Sequence, residues 1–269
     1  MPVYKPTELK EFLDSLGVRP NKRLSQNFLI DGNVLDKIVE FAQVKPDDLV
    51  VEIGPGPGAL TERLLASGCH VIAIEKDPVF AHALNRFSSD RLTCFTGDAL
   101  DFPIEKYLFK KAKVVANLPY HVTSPILERL VVMHEHISSC VVMIQDDAAR
   151  RFMSAVGYVP LFLHYHAKLS FGFDVAAGSF YPRPSVGSSV IGLDLQKEQA
   201  LCDEEAFFSM LHEAFIHKRK MIKSSLKAYK GIEDGLKLAG KSAESRPEEL
   251  TLHDWITLFK AVCINSPFR

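Results

Sequence analysis

Short apolar runs alternate with amphipathic stretches through the first half of the chain. The apolar residues in 31–43 have helical spacing, and Asp31 at the start of this segment is a candidate N-cap. The apolar runs predict strands at Leu49–Ile53, His70–Ile74, Leu92–Thr96, Lys113–Ala116 and Cys140–Ile144. The stretches between them predict helices at Ala59–Ala66, Pro78–Phe87 and Pro125–His134. Strands separated by helices of this length need right-handed crossovers, which predicts a mostly parallel, doubly wound α/β sheet with helices on both faces.

The pattern changes after Asp146. Two further apolar runs, Lys168–Phe173 and Ser189–Leu195, flank a proline-containing loop at residues 180–184, which is typical of an antiparallel hairpin at one side of a sheet. Beyond Gln196 the chain has helical periodicity, mainly over Glu204–Lys230 and Thr251–Ile264. We therefore expect a domain boundary near residue 195, with a sheet domain over residues 1–195 and a small all-helical domain over residues 196–269.

Composition restricts the class of protein. The chain has 269 residues, 47% of them hydrophobic, and a formal net charge of -1. No apolar run approaches the length of a membrane helix and the N-terminal residues lack the apolar segment of a signal peptide, so we expect a cytoplasmic protein with no membrane partner. Five scattered cysteines favour free thiols. The pairs His134/His136 and His164/His166 have no neighbours that complete a metal site, so we expect no metal.

Positive charge is concentrated in two places. The segment from Ala214 to Ile232 has no acidic residue and six basic ones: Lys218, Arg219, Lys220, Lys223, Lys227 and Lys230. A helix there would bring four of its lysines onto one face: Lys220, Lys223, Lys227 and Lys230. Such a face is compatible with ordinary solvation. A second cluster, Arg19, Lys22 and Arg23, favours contact with nucleic-acid phosphates instead.

Glycines follow the first strand of the sheet. The segment Glu52–Gly58 permits a tight turn whose backbone amides approach a ligand, although its third glycine comes one residue early for the dinucleotide pattern. Glu75 ends the second strand, where it can accept hydrogen bonds from ribose hydroxyls, and Asp98 follows the third, where it can accept an adenine amine. Each feature alone also occurs in ordinary turns and caps. Together they favour an adenosine-containing cofactor, and the acidic loop without a lysine favours a cationic one, S-adenosylmethionine.

The segment Asn117-Leu118-Pro119-Tyr120 lies directly behind the apolar run Val114–Ala116. An amide, a proline and an aromatic ring at the end of a buried strand can hold a flat, amine-bearing ring, which indicates modification of a nucleobase. Hydrogen bonds from an adenine amine to the Asn117 side-chain oxygen and to the Leu118 or Pro119 carbonyl would favour a pyramidal, more nucleophilic nitrogen. Tyr120 would stack on the base.

These segments together resemble the bacterial KsgA-type ribosomal RNA adenine dimethyltransferases, nearly from end to end. The shared segments are Ser25–Leu29, Val51–Gly58, Ile74–Asp77, Gly97–Ala99, Asn117–Tyr120, Thr123–Leu127, Phe180–Pro184, Phe215–Lys220 and Arg246–Leu250. The resemblance implies a Rossmann-like class I methyltransferase sheet. It also implies that S-adenosylmethionine is bound by Asn27, Leu29, Gly54, Glu75, Asp98 and Asn117. The catalytic residues that it implies are Asn117, Leu118, Pro119, Tyr120 and Phe180, with Phe180 covering the second face of the adenine.

The resemblance implies dimethylation of two adjacent adenosines near the 3′ end of small-subunit (16S) rRNA, by a monomer acting on a pre-30S particle, with the helical domain docking RNA. Five positions depart from the family pattern and concern RNA contacts: Ser25, Pro160, Ser185, Gly187 and Ser224. A serine at position 25 is similar to the pattern of the erythromycin-resistance methyltransferases of large-subunit RNA. Membership of that group is one alternative. A ribosome-assembly protein that needs no catalysis is a second alternative. A small-molecule methyltransferase is a third, and it leaves the basic segment without a purpose.

Overall fold

The computed structural model describes residues 3–21, 24, 26–195, 201 and 203–265. The chain forms two compact units: unit 1 covers Met1–Arg150 and Ala167–Gln196, and unit 2 covers Arg151–His166 and Lys197–Arg269. The chain passes between the units three times, and the third passage, after residue 196, lies beside the domain boundary expected near residue 195. The structure additionally assigns residues 151–166 to the C-terminal helices, because Leu161 and Tyr165 belong to the hydrophobic core of unit 2.

The strands of unit 1 are β1 (Phe28–Leu29), β2 (Leu49–Ile53), β3 (His70–Glu75), β4 (Leu92–Thr96), β5 (Ala112–Asn117), β6 (Ile137–Gln145), β7 (Ala167–Val175), β8 (Phe180–Tyr181) and β9 (Ser188–Leu195). Seven of them form one sheet in the order β4-β3-β2-β5-β6-β9-β7. The first five strands in that order are parallel, whereas β9 is antiparallel to both β6 and β7. β1 and β8 form a separate antiparallel pair. The predicted α/β sheet with an antiparallel hairpin at one side is confirmed.

The helices of unit 1 are α1 (Pro6–Ser15), α2 (Gly32–Phe41), α3 (Ala59–Ala66), α4 (Pro78–Ala83), α5 (Thr123–Val131) and α6 (Asp146–Met153), which continues into unit 2. α2 begins as predicted, because the Asp31 carboxylate accepts hydrogen bonds from the amides of Asn33 and Val34. α4 continues as a 3₁₀ turn over Leu84–Phe87, so the predicted helix is one element with two geometries.

The sheet of unit 1 creates a crevice at one point. All five residues of β2 are buried, as expected for a strand covered by helices on both faces. The chain order of the strands reverses between β2 and β5. Helices that leave such neighbouring strands diverge to opposite faces, and the carboxyl ends of the strands there form the usual ligand crevice of an open α/β sheet.

Unit 2 is helical in the part that the structure describes. Its remaining helices are α7 (Tyr158–His166), α8 (Glu204–Ile216), α9 (Ile222–Ser225), α10 (Ile232–Leu238) and α11 (Leu252–Asn265). They enclose a core around Trp255, Phe207 and Phe259, each 0% exposed. No helix among the described residues is long and apolar enough to cross a membrane.

The expectation of one helix over Glu204–Lys230 is wrong. α8 ends at Ile216, and the exposed residues His217–Lys220 form a turn before α9 begins at Ile222. The Ile222 amide donates to the Ser245 carbonyl at 2.9 Å instead of continuing α8, and this bend buries both Ile222 and Leu226 completely. Like charges four residues apart, such as Arg219 and Lys223, would also repel each other in a continuous helix. The predicted four-lysine helix face therefore does not form: Lys218, Arg219 and Lys220 lie on the turn, Lys223 on α9, and Lys227 and Lys230 in the turns that follow α9.

Candidate active site

A pocket lies at the carboxyl ends of β2, β3 and β5. It is lined by all but one of the site residues that the sequence indicated: Asn27, Leu29, Gly54, Glu75, Asp98, Asn117, Leu118, Pro119 and Tyr120. β2 and β5, between which the strand order reverses, end at this pocket, and both residues of β1 also line it. The sheet topology thus brings together segments that are far apart in sequence.

The glycine loop forms one wall of the pocket. Gly56 has a φ of 51°, a left-handed conformation that side chains disfavour. A Cβ atom at this position would lie 3.1 Å from a ring carbon of Phe28. Glycine at this position therefore lets the loop pass close to β1, and it directs the Gly56 amide toward the carboxylate of Glu75 at 2.8 Å.

Glu75 ends β3 and is 6% exposed. Its Oε2 accepts from the Gly56 amide and its Oε1 from the Asp77 amide, each at 2.8 Å. Burial raises the pKa of Glu75, and these backbone hydrogen bonds oppose the rise. Each carboxylate oxygen has a further lone pair, so the side chain can also accept hydrogen bonds from ribose hydroxyls in the pocket.

Asp98 lies in the loop after β4, opposite a lysine that the sequence analysis did not identify. Lys76 Nζ donates to Asp98 Oδ2 at 2.7 Å, and the Leu100 amide donates to Oδ1 at 3.0 Å. The hydrogen bond from Lys76 is the main cause that lowers the pKa of Asp98. The pairing follows from the register of β3 and β4, in which Glu75 lies beside Thr96. No local sequence signal links residues 76 and 98, because strand register is a tertiary property.

Glu52 lies inside the sheet and differs from the other two acids. It is 1% exposed, and the Thr61 hydroxyl donates to its Oε2 at 2.7 Å. Burial raises the pKa of Glu52 to about 8, so the group is mostly protonated at neutral pH. Glu52 therefore adds little negative charge to the loop, whereas the lowered pKa of Asp98 keeps that group ionised. The donor set still fits a cofactor that is not anionic, because Lys76, the lysine in the lining, already pairs with Asp98.

Asn117 ends β5 and lines the pocket. Its Nδ2 donates to the main-chain oxygen of Asn27 at 3.3 Å, which orients the amide and connects two predicted site residues. Among the described residues, none donates to Asn117 Oδ1. Hydrogen bonding thus leaves this oxygen available to a ligand donor.

The two carbonyls that follow Asn117 are not equivalent. Pro119 O accepts from the Thr123 hydroxyl and from the Val122 amide, each at 3.2 Å, because the chain turns there into α5. Leu118 donates its amide to Met143 O at 3.1 Å, while its own carbonyl oxygen accepts from none of the described residues. From the sequence, both carbonyls were candidate acceptors. The hydrogen bonding favours Leu118.

Tyr120 lies at the pocket in the 3₁₀ turn Tyr120–Val122. Its hydroxyl lies 2.8 Å from Ser188 Oγ, a residue that the sequence analysis did not select. Burial raises the pKa of Tyr120, so the hydroxyl stays neutral and either atom can donate in this bond. The ring is thus held at both ends, by the main chain of the turn and by its hydroxyl.

Phe180 is the predicted site residue that does not line the pocket. It is 2% exposed and packs in the hydrophobic core of unit 1. The cause is the pairing of β8 with β1, which places Phe180 opposite Leu29. In this conformation its ring does not line the pocket, and its role as a second stacking face stays a prediction. The pairing joins two distant segments and has no local sequence signal.

Some expectations concern residues outside the described part of the chain: Lys22, Arg23, Ser25 and Cys202. Among the described cysteines, Cys69, Cys94, Cys140 and Cys263 are free thiols. No group of three His, Cys, Asp or Glu side chains in the described residues is arranged to hold a metal ion.

The family model and the similar proteins all indicate the same family. The family model for ribosomal RNA adenine dimethylase matches residues 17–262. Ribosomal RNA small subunit methyltransferase A of Protochlamydia amoebophila is 44% identical over 275 residues, which cover 96% of this chain and 97% of that protein. The protein of the same name from Chlamydia trachomatis serovar D is 39% identical, with 94% and 95% of the two chains covered.

Two solved structures have the same fold. The crystal structure of the 23S rRNA methyltransferase ErmE has a TM-score of 0.72 at 25% identity and covers 88% of this chain and 99% of that one. A dimethyladenosine transferase from Plasmodium falciparum has a TM-score of 0.71 at 24% identity, with 86% and 95% covered, and supports the fold. Because the family model spans most of the sequence and both relatives match nearly its full length, the chain belongs to the ribosomal RNA adenine dimethylase family of S-adenosylmethionine-dependent methyltransferases.

Proposed function

We propose that this enzyme dimethylates the exocyclic amines of two adjacent adenosines near the 3′ end of 16S rRNA, in a precursor of the small ribosomal subunit. The observation that carries the proposal is the end of β5, where Asn117 Oδ1 and the Leu118 carbonyl oxygen accept no hydrogen bond from the described residues. Two acceptors on consecutive pocket residues match the two hydrogens of a primary amine. After one methyl transfer the amine keeps one hydrogen, and one acceptor suffices. The names of the relatives support small-subunit rRNA as the substrate.

The cofactor side of the pocket supports the same reaction. We propose that Glu75 accepts hydrogen bonds from the ribose hydroxyls and Asp98 one from the adenine amine, beside Asn27, Leu29 and Gly54. Bound S-adenosylmethionine supplies a methyl group activated by a sulfonium. The carboxylate of Glu75 is already positioned by two backbone amides, so its orientation costs little when the cofactor binds.

The chain's own residues contribute positioning and electrostatics. The lone pair of an adenine amine is delocalised into the ring, so hydrogen bonds to Asn117 and Leu118 that favour a pyramidal nitrogen make it a better nucleophile. The alkylated amine is acidic and loses its proton to water, so the mechanism needs no strong base. We propose Tyr120, which lines the pocket, as the ring that stacks on the base. Phe180 does not line the pocket in this conformation.

The basic turn of unit 2, residues 217–220, supports RNA docking. Lys218 pairs with Glu248 at 3.3 Å, whereas Arg219 and Lys220 are exposed and have no acidic partner among the described residues. We expect the double variant Arg219→Ala/Lys220→Ala to weaken rRNA binding and to reduce the salt slope of log Kd by about 1 to 2, because each lost phosphate contact contributes about 0.7 to 0.9. Filter binding across a salt series measures both.

Lys237→Ala is the matched control for the basic turn, because Lys237 is also exposed in unit 2 but lies beside Glu233 and Asp234. Its salt slope should equal that of the wild type. An unchanged slope in the double variant would place the RNA contacts elsewhere.

The proposed target is tested by methyl transfer to purified, unmodified small subunits, with primer extension to locate the marks. We expect stops at two adjacent adenosines near the 3′ end of 16S rRNA. Marks on large-subunit RNA instead would identify the resistance-type alternative. RNA binding without methyl transfer to either subunit would support the assembly-protein alternative, and turnover of free small molecules alone would support the third.

A further inference from the structure

The hydroxyl of Tyr120 has one described partner, and that partner comes from a different part of the sheet. Ser188 is the first residue of β9 and lies opposite Gln145, the last residue of β6. Its side chain is 1% exposed, and its Oγ lies 2.8 Å from Tyr120 Oη. A buried hydroxyl without a partner is unfavourable, so this bond constrains the rotation and tilt of the Tyr120 side chain.

The residue after Ser188 attaches the start of β9 to its surroundings. Ser189 Oγ lies 2.8 Å from Asp146 Oδ1 and 2.8 Å from Asp174 Oδ1. Arg150 offsets the like charges of these carboxylates, with Nε at 3.1 Å from Asp146 and an Nη at 3.7 Å from Asp174. The Asp146 amide also donates to Gly187 O at 3.2 Å. The backbone that carries Ser188 is therefore held from both sides.

We propose that Ser188 is a positioning residue for methyl transfer, acting through the Tyr120 hydroxyl to hold the aromatic ring at the angle at which it stacks on the target adenine. The inference rests on the proposed function, because a stacked base is the object that the ring positions. Tyr120 lies two residues after Leu118 and lines the same pocket, so the orientation of its ring defines the plane of a base whose amine reaches the acceptors of Asn117 and Leu118. A change in that angle moves the amine relative to the reacting methyl without removing any phosphate contact or cofactor contact.

A double-mutant cycle tests this role. Ser188→Ala and Tyr120→Phe each remove one side of the bond, and the double variant removes both. We expect each single variant to lower kcat by about three- to tenfold, which corresponds to the loss of one neutral hydrogen bond. The double variant should be no slower than the slower single variant. Neither KM for the small subunit nor Kd for S-adenosylmethionine should change by more than about twofold.

Ser170→Ala is the control for loss of a serine hydroxyl in the same sheet. Ser170 is exposed on β7, and among the described residues its Oγ has one hydrogen-bond partner, Gly192 O at 3.5 Å. Its kcat should equal that of the wild type. Multiplicative losses in the double variant would overturn the proposal, as would a Ser188→Ala enzyme with unchanged kcat or with losses confined to KM or cofactor affinity. A wild-type enzyme inactive on small subunits would overturn the proposed function and this inference with it. An active wild type whose single variants have kcat losses that multiply in the double variant would overturn only the role of Ser188.

Discussion

Replacing Asn117 with alanine is expected to lower the rate of methyl transfer by about 100- to 1,000-fold, the usual effect of removing one preorganised group that contacts the reacting atoms. The variant loses the acceptor that Asn117 Oδ1 offers to the adenine amine. It also loses the hydrogen bond from Nδ2 to Asn27 O, which connects Asn117 to the pocket residue Asn27. Single-turnover transfer to unmodified small subunits measures the chemical step directly.

Asn85→Ala is the matched control, because Asn85 is an exposed asparagine in the 3₁₀ turn after α4. Its rate should equal that of the wild type. Calorimetric titration with S-adenosylmethionine shows whether Asn117→Ala still binds the cofactor. Transfer within about threefold of the wild-type rate would contradict the assigned role of Asn117. The same variant separates catalysis from assembly, since an assembly function should survive the substitution.

Glu52→Gln is expected to make the stability of unit 1 less sensitive to pH. The pKa of Glu52 rises from 4.5 to about 8 on folding, so the folded state binds the proton more tightly. The stabilisation that this proton provides is complete below pH 4.5 and is lost as the pH rises through about 8. Between these values the free energy of unfolding of the wild type falls by up to about 1.4 kcal/mol per pH unit from this group alone. Glutamine imitates the neutral acid, and its advantage should grow with pH.

Urea unfolding followed by circular dichroism at pH 6 and pH 8 measures this difference. The chain has one tryptophan, Trp255, which lies in the core of unit 2, so its fluorescence gives an internal reference. Glu40→Gln, an exposed substitution on α2, should show the wild-type pH dependence. If Glu52→Gln and wild type lost stability in parallel from pH 6 to pH 8, the assignment of a protonated Glu52 would be wrong.

Much of unit 1 was predictable from local patterns. The apolar runs predicted the parallel strands to within a few residues, most clearly β2, which is apolar and fully buried because both of its faces are covered. The Asp31 cap was also predictable, because capping involves neighbours in sequence. The single helix over Glu204–Lys230 failed for the opposite reason. Periodicity continued through residues 217–221, but a hydrogen bond to Ser245 and the burial of Ile222 redirected the chain.

The candidate site divides in the same way. The residues at strand ends were predictable as a group, because the carboxyl ends of parallel strands meet at one edge of the sheet. The partners of those residues were not. Lys76 reaches Asp98 through strand register, and Ser188 reaches Tyr120 through the insertion of β9 beside β6.

The sequence by itself therefore determined the sheet, the glycine loop and the Asn117–Tyr120 motif, because these depend on residues close together in the chain. Tertiary structure decided which groups are charged, free or accessible. It buries Glu52 and thereby neutralises it, leaves the Leu118 carbonyl available while Pro119 O is used in a turn, and withdraws Phe180 into the core. The physical reason is that desolvation, hydrogen-bond satisfaction and strand pairing depend on neighbours that only folding brings together.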